Sequence, residues 1–166
     1  MPRATLDTTD WRILEALQTH GRVTNVALAS RVGISPPSCL RRVRALEKKG
    51  LIRGYYGDLN ITALGFEVTV FAMVGLHSQA ESDLQAFEAR VADWLMVREC
   101  YMLNGDIDFI LKCVSPNLAA FQIFLTKKLT PAPNVAHVRT ALTIRRSKYL
   151  PGAPLEGRST GDEESA

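Results

Sequence analysis

Gly33-Ile34-Ser35-Pro36-Pro37-Ser38-Cys39-Leu40-Arg41-Arg42-Val43-Arg44-Ala45-Leu46-Glu47-Lys48-Lys49-Gly50 reads as a turn, a helix and a stop. Gly33 tolerates positive φ, Ile34 is an apolar plug, and Ser35 brings a hydroxyl to the N-cap. Pro36 stands in the first turn, where a missing N–H forfeits no hydrogen bond. From Pro36 to Lys49, a step of about 100° per residue gathers Cys39, Leu40, Val43 and Leu46 on one side, which predicts core. The same step sends Ser38, Arg41, Ala45 and Lys48 to the opposite side, with Arg42 and Arg44 on the flanks. No acidic residue interrupts this basic surface before Glu47, whereas a solvated helix usually interleaves Glu for i,i+4 pairs.

Two helices are expected upstream. Asp7 is a suitable N-cap for the first, with Asp10 at the third helical position and Leu6 placed to staple onto Trp11. Ile13, Leu14 and Leu17 form its inward stripe, and His20-Gly21 ends it in a left-handed C-terminal turn. Thr24 caps the second, which carries Val26, Ala29 and Val32 before Gly33. Short helices with a glycine-bearing turn between the second and third make a helix-turn-helix, whose last helix can enter a DNA major groove. Guanidinium groups bond bidentately to guanine O6 and N7 or neutralise phosphate, and short Ser side chains permit close approach. Ser35, Pro37, Ser38, Arg41, Arg42 and Arg44 are therefore the candidate DNA contacts, with Arg41 and Ser38 assigned to base edges. Leu51 to Gly57 alternates apolar, basic and aromatic residues, as a short strand or wing does, and would bring Arg53 to a phosphate.

Charge distribution agrees. The net charge is only +3, but residues 1–57 hold ten Lys or Arg against four Asp or Glu, and residues 58–166 hold ten against thirteen. A basic front module joined to an acidic rear one points the front towards a polyanion. At 166 residues the chain has room for two compact units. No stretch approaches the roughly 20 apolar residues of a membrane helix, and the first residues lack a signal-peptide core, so a cytoplasmic protein is expected. Cys39, Cys100 and Cys113 have no Cys-x-x-Cys spacing and read as reduced thiols. His20, His77 and His137 are scattered, and no metal or cofactor is expected.

The segment 58–65 reads as a linker. Strict alternation from Phe66 to Leu76 then marks a strand whose second face, with Phe71 and Met73, is also apolar and needs cover. Leu84, Phe87, Val91 and Trp94 fall at helical spacing. Val97 to Leu103 and Asp108 to Val114 are strands joined through Asn104-Gly105-Asp106, a hairpin sequence. Asn117 caps a second helix bearing Leu118, Phe121, Phe124 and Leu125, and Val135 to Ile144 is the last strand. The order βαββαβ over 66–150 is that of a ferredoxin-like α+β domain, with two helices on one face of an antiparallel sheet. Its other face is left open. Burying even ~600 Å² of apolar surface is worth roughly 15 kcal/mol before association costs, so a homodimer is expected. Residues 151–166, rich in Gly, Ser and acidic groups, are expected to be disordered.

Leu6-Asp7-x-x-Asp10, Arg22, Leu28-Ala29, Val32-Gly33-Ile34-Ser35-Pro36, Cys39, Arg42-Val43, Leu46-Glu47, Gly50-Leu51-Ile52 and Gly105-Asp106-Ile107-Asp108 together resemble the leucine-responsive regulator/AsnC (feast/famine) family of transcription regulators. The likeness spans roughly residues 6 to 151. It implies a winged helix-turn-helix followed by the ferredoxin-like domain, a nucleoid-associated dimer that assembles into tetramers or octamers on double-stranded promoter DNA, and a response to an amino acid. It also implies an effector site near the Gly-Asp-x-Asp hairpin, at Leu103, Asn104, Gly105, Asp106 and Asp108, with Val138 and Thr140. Glycine allows close approach of a ligand, and aspartate can meet an ammonium group. This sequence has Asn104 where Thr or Ser commonly precedes the Gly-Asp pair, Val138 where Thr often faces the ligand, and Ala27 in place of a usual Glu. Two rival readings share these residues. One is an enzyme holding magnesium between Asp106 and Asp108, although no phosphate loop or nucleophile set accompanies them. The other is an architectural protein that coats DNA without an effector.

Overall fold

The computed structural model describes residues 5–155. The described residues divide into two compact units, one comprising residues 5–58 together with 148–155, the other Leu59–Ser147.

In the first unit, α1 (Thr8–Thr19) starts at Asp7, whose side chain accepts from the Asp10 amide at 2.8 Å. Helix α2 (Asn25–Val32) starts at Thr24, whose hydroxyl accepts from the Ala27 amide at 3.2 Å, and stops at Gly33 in the left-handed region, φ 75°. Helix α3 (Pro36–Lys48) follows after the three-residue connection Gly33-Ile34-Ser35. These caps satisfy amides that a helix start otherwise leaves unpaired. Ile13, Ala16, Leu28, Ala29, Val32, Cys39 and Leu46 form the core, and Leu6, Val43 and Ile52 pack around it.

Four local expectations are corrected. Helix α1 ends at His20 with φ −135°, and its closing amide bonds the Ala16 carbonyl, so Gly21 needs no left-handed turn. Ser35 makes no capping bond. Leu40 is 39% exposed, because α3 packs along the Cys39, Val43 and Leu46 stripe and Leu40 lies a helical step away from it. Leu51 to Gly57 pairs with no strand; the segment is held instead by the Tyr55 hydroxyl donating to Glu47 at 2.9 Å. Burial and that bond to Glu47 push the Tyr55 phenol up to about 12.

The tail also departs from expectation. Gln18 of α1 clamps the Ala153 peptide on both sides, its Nε2 donating to the carbonyl at 2.7 Å and its Oε1 accepting from the amide at 2.9 Å. Ala153 is thus tied to α1, and residues 156–166 lie outside the described residues. The supposed linker closes into a turn of its own, with the Phe66 amide donating to Ile61 O and the Asn60 side chain accepting from the Ala63 amide.

The second unit contains β1 (Val68–Leu76), α4 (Glu81–Ala92), β2 (Val97–Met102), β3 (Phe109–Ser115), α5 (Leu118–Phe124) prolonged by a π-helical turn Leu125–Leu129, and β4 (Val135–Leu142). All pairings are antiparallel, in the order β2-β3-β1-β4, which is the ferredoxin-like arrangement. The register Val70↔Cys113, Ala72↔Leu111, Val74↔Phe109 aligns the apolar alternation of β1 and β3 on one face. A slip by one residue would turn all of it outward. That face meets Phe87, Val91, Trp94, Phe121, Phe124 and Leu129, with Trp94 edge-on to Phe124 at 5.4 Å between centroids. Cys113 is buried there and its thiol is pushed up to about 12, so it stays protonated. The opposite face carries Phe71, Met73, Ile110 and Tyr101 around a Lys112–Glu99 ion pair. Gly75 lies on that face under the His137 ring of β4, where any Cβ would collide with the imidazole.

Candidate functional site

Helix α3 presents Ser35, Pro37, Arg41, Arg44 and Lys48 as exposed residues, with Ser38 half-buried. Arg41 and Arg44 take part in none of the ion pairs found among the described residues. Pairing them inside the fold would lower their availability to a polyanion. Exposed and unpaired, they keep their full donor capacity for phosphate or guanine. The turn that sets up this helix is braced by Asn25, whose Nδ2 donates to the Pro36 carbonyl at 2.8 Å. Nothing in the helical periodicity marks Asn25 for this, since its partner lies across the turn.

Arg42 differs from Arg41 and Arg44 in having partners within the fold. Its Nη1 donates to Asp7 Oδ2 and to Asp10 Oδ1, both at 2.7 Å. The Asp10 amide, against the opposing effect of burial and with help from the Arg42 guanidinium, holds the Asp7 carboxyl below its ordinary value, and the two carboxylates raise Arg42 in turn. The aspartates that cap and start α1 therefore engage a residue more than thirty positions away. Spacing along the sequence shows the caps but not that partner.

In the second unit, Leu103, Asn104, Gly105 and Asp106 are exposed in the connection between β2 and β3, closed by the Leu103 amide on Asp108 O at 2.8 Å. Asp108 is different. It is 8% exposed, and its two oxygens accept from the Leu76 amide at 2.6 Å and from Gln79 Nε2 at 2.8 Å. The carboxylate thus secures the end of β1 and the start of the following loop, a structural role that the sequence did not show. That loop is also gripped by Asn134, whose side chain accepts from the Ser78 amide at 2.9 Å and donates to Ser78 O at 2.8 Å. Val138 and Thr140 pair with Val74 and Ala72 on β1 and share their face; Val138 packs against the core, and Thr140 is exposed. Hairpin and β4 residues are thus on separate strands, with β3 and β1 between β2 and β4. Among the described residues no group of three His, Cys, Asp or Glu is arranged to hold a metal ion.

Comparison with known proteins agrees with this architecture. Residues 6–53 match a winged helix-turn-helix DNA-binding model, and residues 69–152 match the Lrp/AsnC ligand binding domain. The chain is 55% identical over 146 residues, 88% of this chain and 94% of the relative, to the leucine-responsive regulatory protein of Rhizobium meliloti. It is 40% identical over 152 residues, 92% and 99% of the two chains, to the Bkd operon transcriptional regulator of Pseudomonas aeruginosa. Among solved structures, a transcriptional regulator of Neisseria meningitidis in complex with L-Met superposes with a TM-score of 0.87 at 33% identity, over 92% of this chain and 98% of that one. The sequence motifs, the fold and these relationships lead to one conclusion: the chain belongs to the Lrp/AsnC family of transcription regulators, with a helix-turn-helix DNA-binding unit followed by a ligand-binding domain.

Proposed function

We propose that this regulator reads double-stranded promoter DNA in a sequence-dependent way through the outer face of α3, and that an amino acid or related small metabolite adjusts that binding through the second unit. The observation that carries the first half is the pair of exposed arginines, Arg41 and Arg44, projecting from a helix with no acidic neighbour before Glu47. Ser35, Pro37 and Ser38 at its start are small enough to admit the DNA backbone. Arg41 takes a base edge and Arg44 a phosphate. The second half is supported by the L-Met complex of the Neisseria meningitidis relative and by the exposed Leu103-Asn104-Gly105-Asp106 connection. Thr140 and Val138 contribute from β4.

The working form is a homodimer, assembling further into tetramers or octamers. Phe71, Met73, Ile110 and Tyr101 form an apolar sheet face that no helix of the unit covers, and a second copy seals it. Two-fold symmetry then matches two half-sites on the duplex. No helix among the described residues is long and apolar enough to cross a membrane, in keeping with a cytoplasmic, nucleoid-associated role, and the reading involves no catalytic step.

The test is to titrate the purified protein against a promoter fragment and against random DNA of equal length across a salt series. Sequence-dependent recognition gives a site preference that persists as salt rises, whereas phosphate contacts alone give a steep salt slope and no preference. The latter result would make the chain an architectural coat.

A further inference from the structure

We propose that Arg42 is a positioning residue for DNA recognition: held by Asp7 and Asp10, it sets the angle at which α3 stands on the body of its unit and hence which base edge Arg41 meets. The proposal rests on the reading of α3 as the DNA-facing helix.

The geometry supports a brace. Asp7 and Asp10 lie at the start of α1, and Arg42 lies in the middle of α3, next in sequence to Arg41. One nitrogen, Nη1, donates to both carboxylates at 2.7 Å, so the guanidinium is directed by two charge-assisted bonds from one helix start. The carboxylates are themselves favoured there by the α1 dipole, and Asp7 is additionally fixed because it caps the helix through the Asp10 amide. The alternative means of holding α3 is apolar. Only Cys39 and Leu46 of that helix are buried, and burial of such residues is non-directional: it resists separation of the helices more than rotation of one against the other. A directed polar brace supplies what the apolar stripe lacks.

The side-chain exposures are 31% for Arg42, 53% for Asp7 and 15% for Asp10, so the brace is partly solvated. Ion pairs this exposed add little to global stability. Its consequence is therefore expected in recognition, where a small rotation of α3 moves the Arg41 guanidinium off a base edge that demands planar, bidentate geometry.

A DNA-contacting Arg42 and a positioning Arg42 respond oppositely to removal of the carboxylates. The variants are the full chain with Arg42→Ala, with Asp10→Asn, and with Asp7→Asn and Asp10→Asn together; asparagine keeps the size of the side chain and, at position 7, its capping acceptor. Binding is measured by fluorescence anisotropy to a duplex selected from a random pool by the unaltered protein and to a scrambled duplex, alongside thermal melting. Positioning predicts that every variant, including those with more positive charge, loses about five- to ten-fold in the ratio of specific to scrambled affinity, the scale of one lost base contact, with little change in melting temperature. If the Asn variants instead bind the selected duplex as well as or better than the unaltered protein while Arg42→Ala binds worse, the freed guanidinium is a DNA contact and the proposal is overturned. Unchanged ratios in all three, or a loss of ratio matched by a loss of melting temperature in both single variants, overturn it as well. Failure of the unaltered protein to select any duplex defeats the underlying reading of α3 and is distinct from all of these.

Discussion

The outer face of α3 and the connection between β2 and β3 were both singled out from sequence, yet they hold their polar groups in opposite ways. On α3, Arg41 and Arg44 project into solvent and pair with nothing among the described ion pairs. At the hairpin, one of the two aspartates singled out, Asp108, is folded inward to hold the Leu76 amide and Gln79, and only Leu103 to Asp106 remain outside. A helix surface is generated by one chain and is complete in one chain. The hairpin connection offers only Leu103 to Asp106 to solvent, and the acidic residue next to it serves the scaffold.

The sharpest way to break this contrast is to treat the two hairpin aspartates alike. Asp108→Ala strands a buried amide and the Gln79 side chain, so it should destabilise the second unit by about 2–3 kcal/mol in urea unfolding, while exposed Asp106→Ala should change it by less than about 0.5 kcal/mol. Equal effects would show that Asp108 is no more structural than its neighbour. On α3, Arg41→Ala should weaken binding by ~1–3 kcal/mol and relax preference at one base position; an equal loss on every sequence tested would reassign Arg41 to a phosphate.

Smaller effects test the parts that tie each region down. Gln18→Ala removes both bonds to the Ala153 peptide, and amide exchange at Ala153 should accelerate while α1 is unaffected. The same rate in the variant would mean that the clamp does not hold residues 148–155 in solution. The mildest concerns pH. The Asp7 carboxyl is held below 3.8, first by the Asp10 amide and then by Arg42. A depressed carboxylate contributes stability that is present above its unfolded value and is lost as pH falls through its folded one. In Arg42→Ala, the Asp7 titration followed by NMR should move up towards 3.8 but stay below it, since the amide bond remains. No movement would detach Arg42 from Asp7.

Helices and strands were legible because their signals are periodic and local. Asp7, Thr24 and Asn117 cap the helices they were assigned to, with bonds of 2.8, 3.2 and 2.8 Å, and the alternation in β1 faces the core as read. The misreadings share another cause. Leu51 to Gly57 alternates like a strand, but a strand needs a partner edge, and within this unit the segment finds a Tyr55–Glu47 bond instead. Residues 151–155 have the composition of a disordered tail, yet one glutamine in α1 matches a backbone peptide among them.

The amino-acid order by itself determined the element sequence, the ferredoxin-like topology, the basic helix and the family, because hydrophobic period, caps and glycine stops act over a few residues and are written in neighbouring positions. Tertiary structure alone decided that Arg41 stays outward while Arg42 turns to Asp7 and Asp10, and that Asp106 meets solvent while Asp108 does not. Adjacent arginines and near-adjacent aspartates are chemically the same in the chain. What separates their roles is which partner lies within 3 Å once segments more than thirty residues apart are packed together.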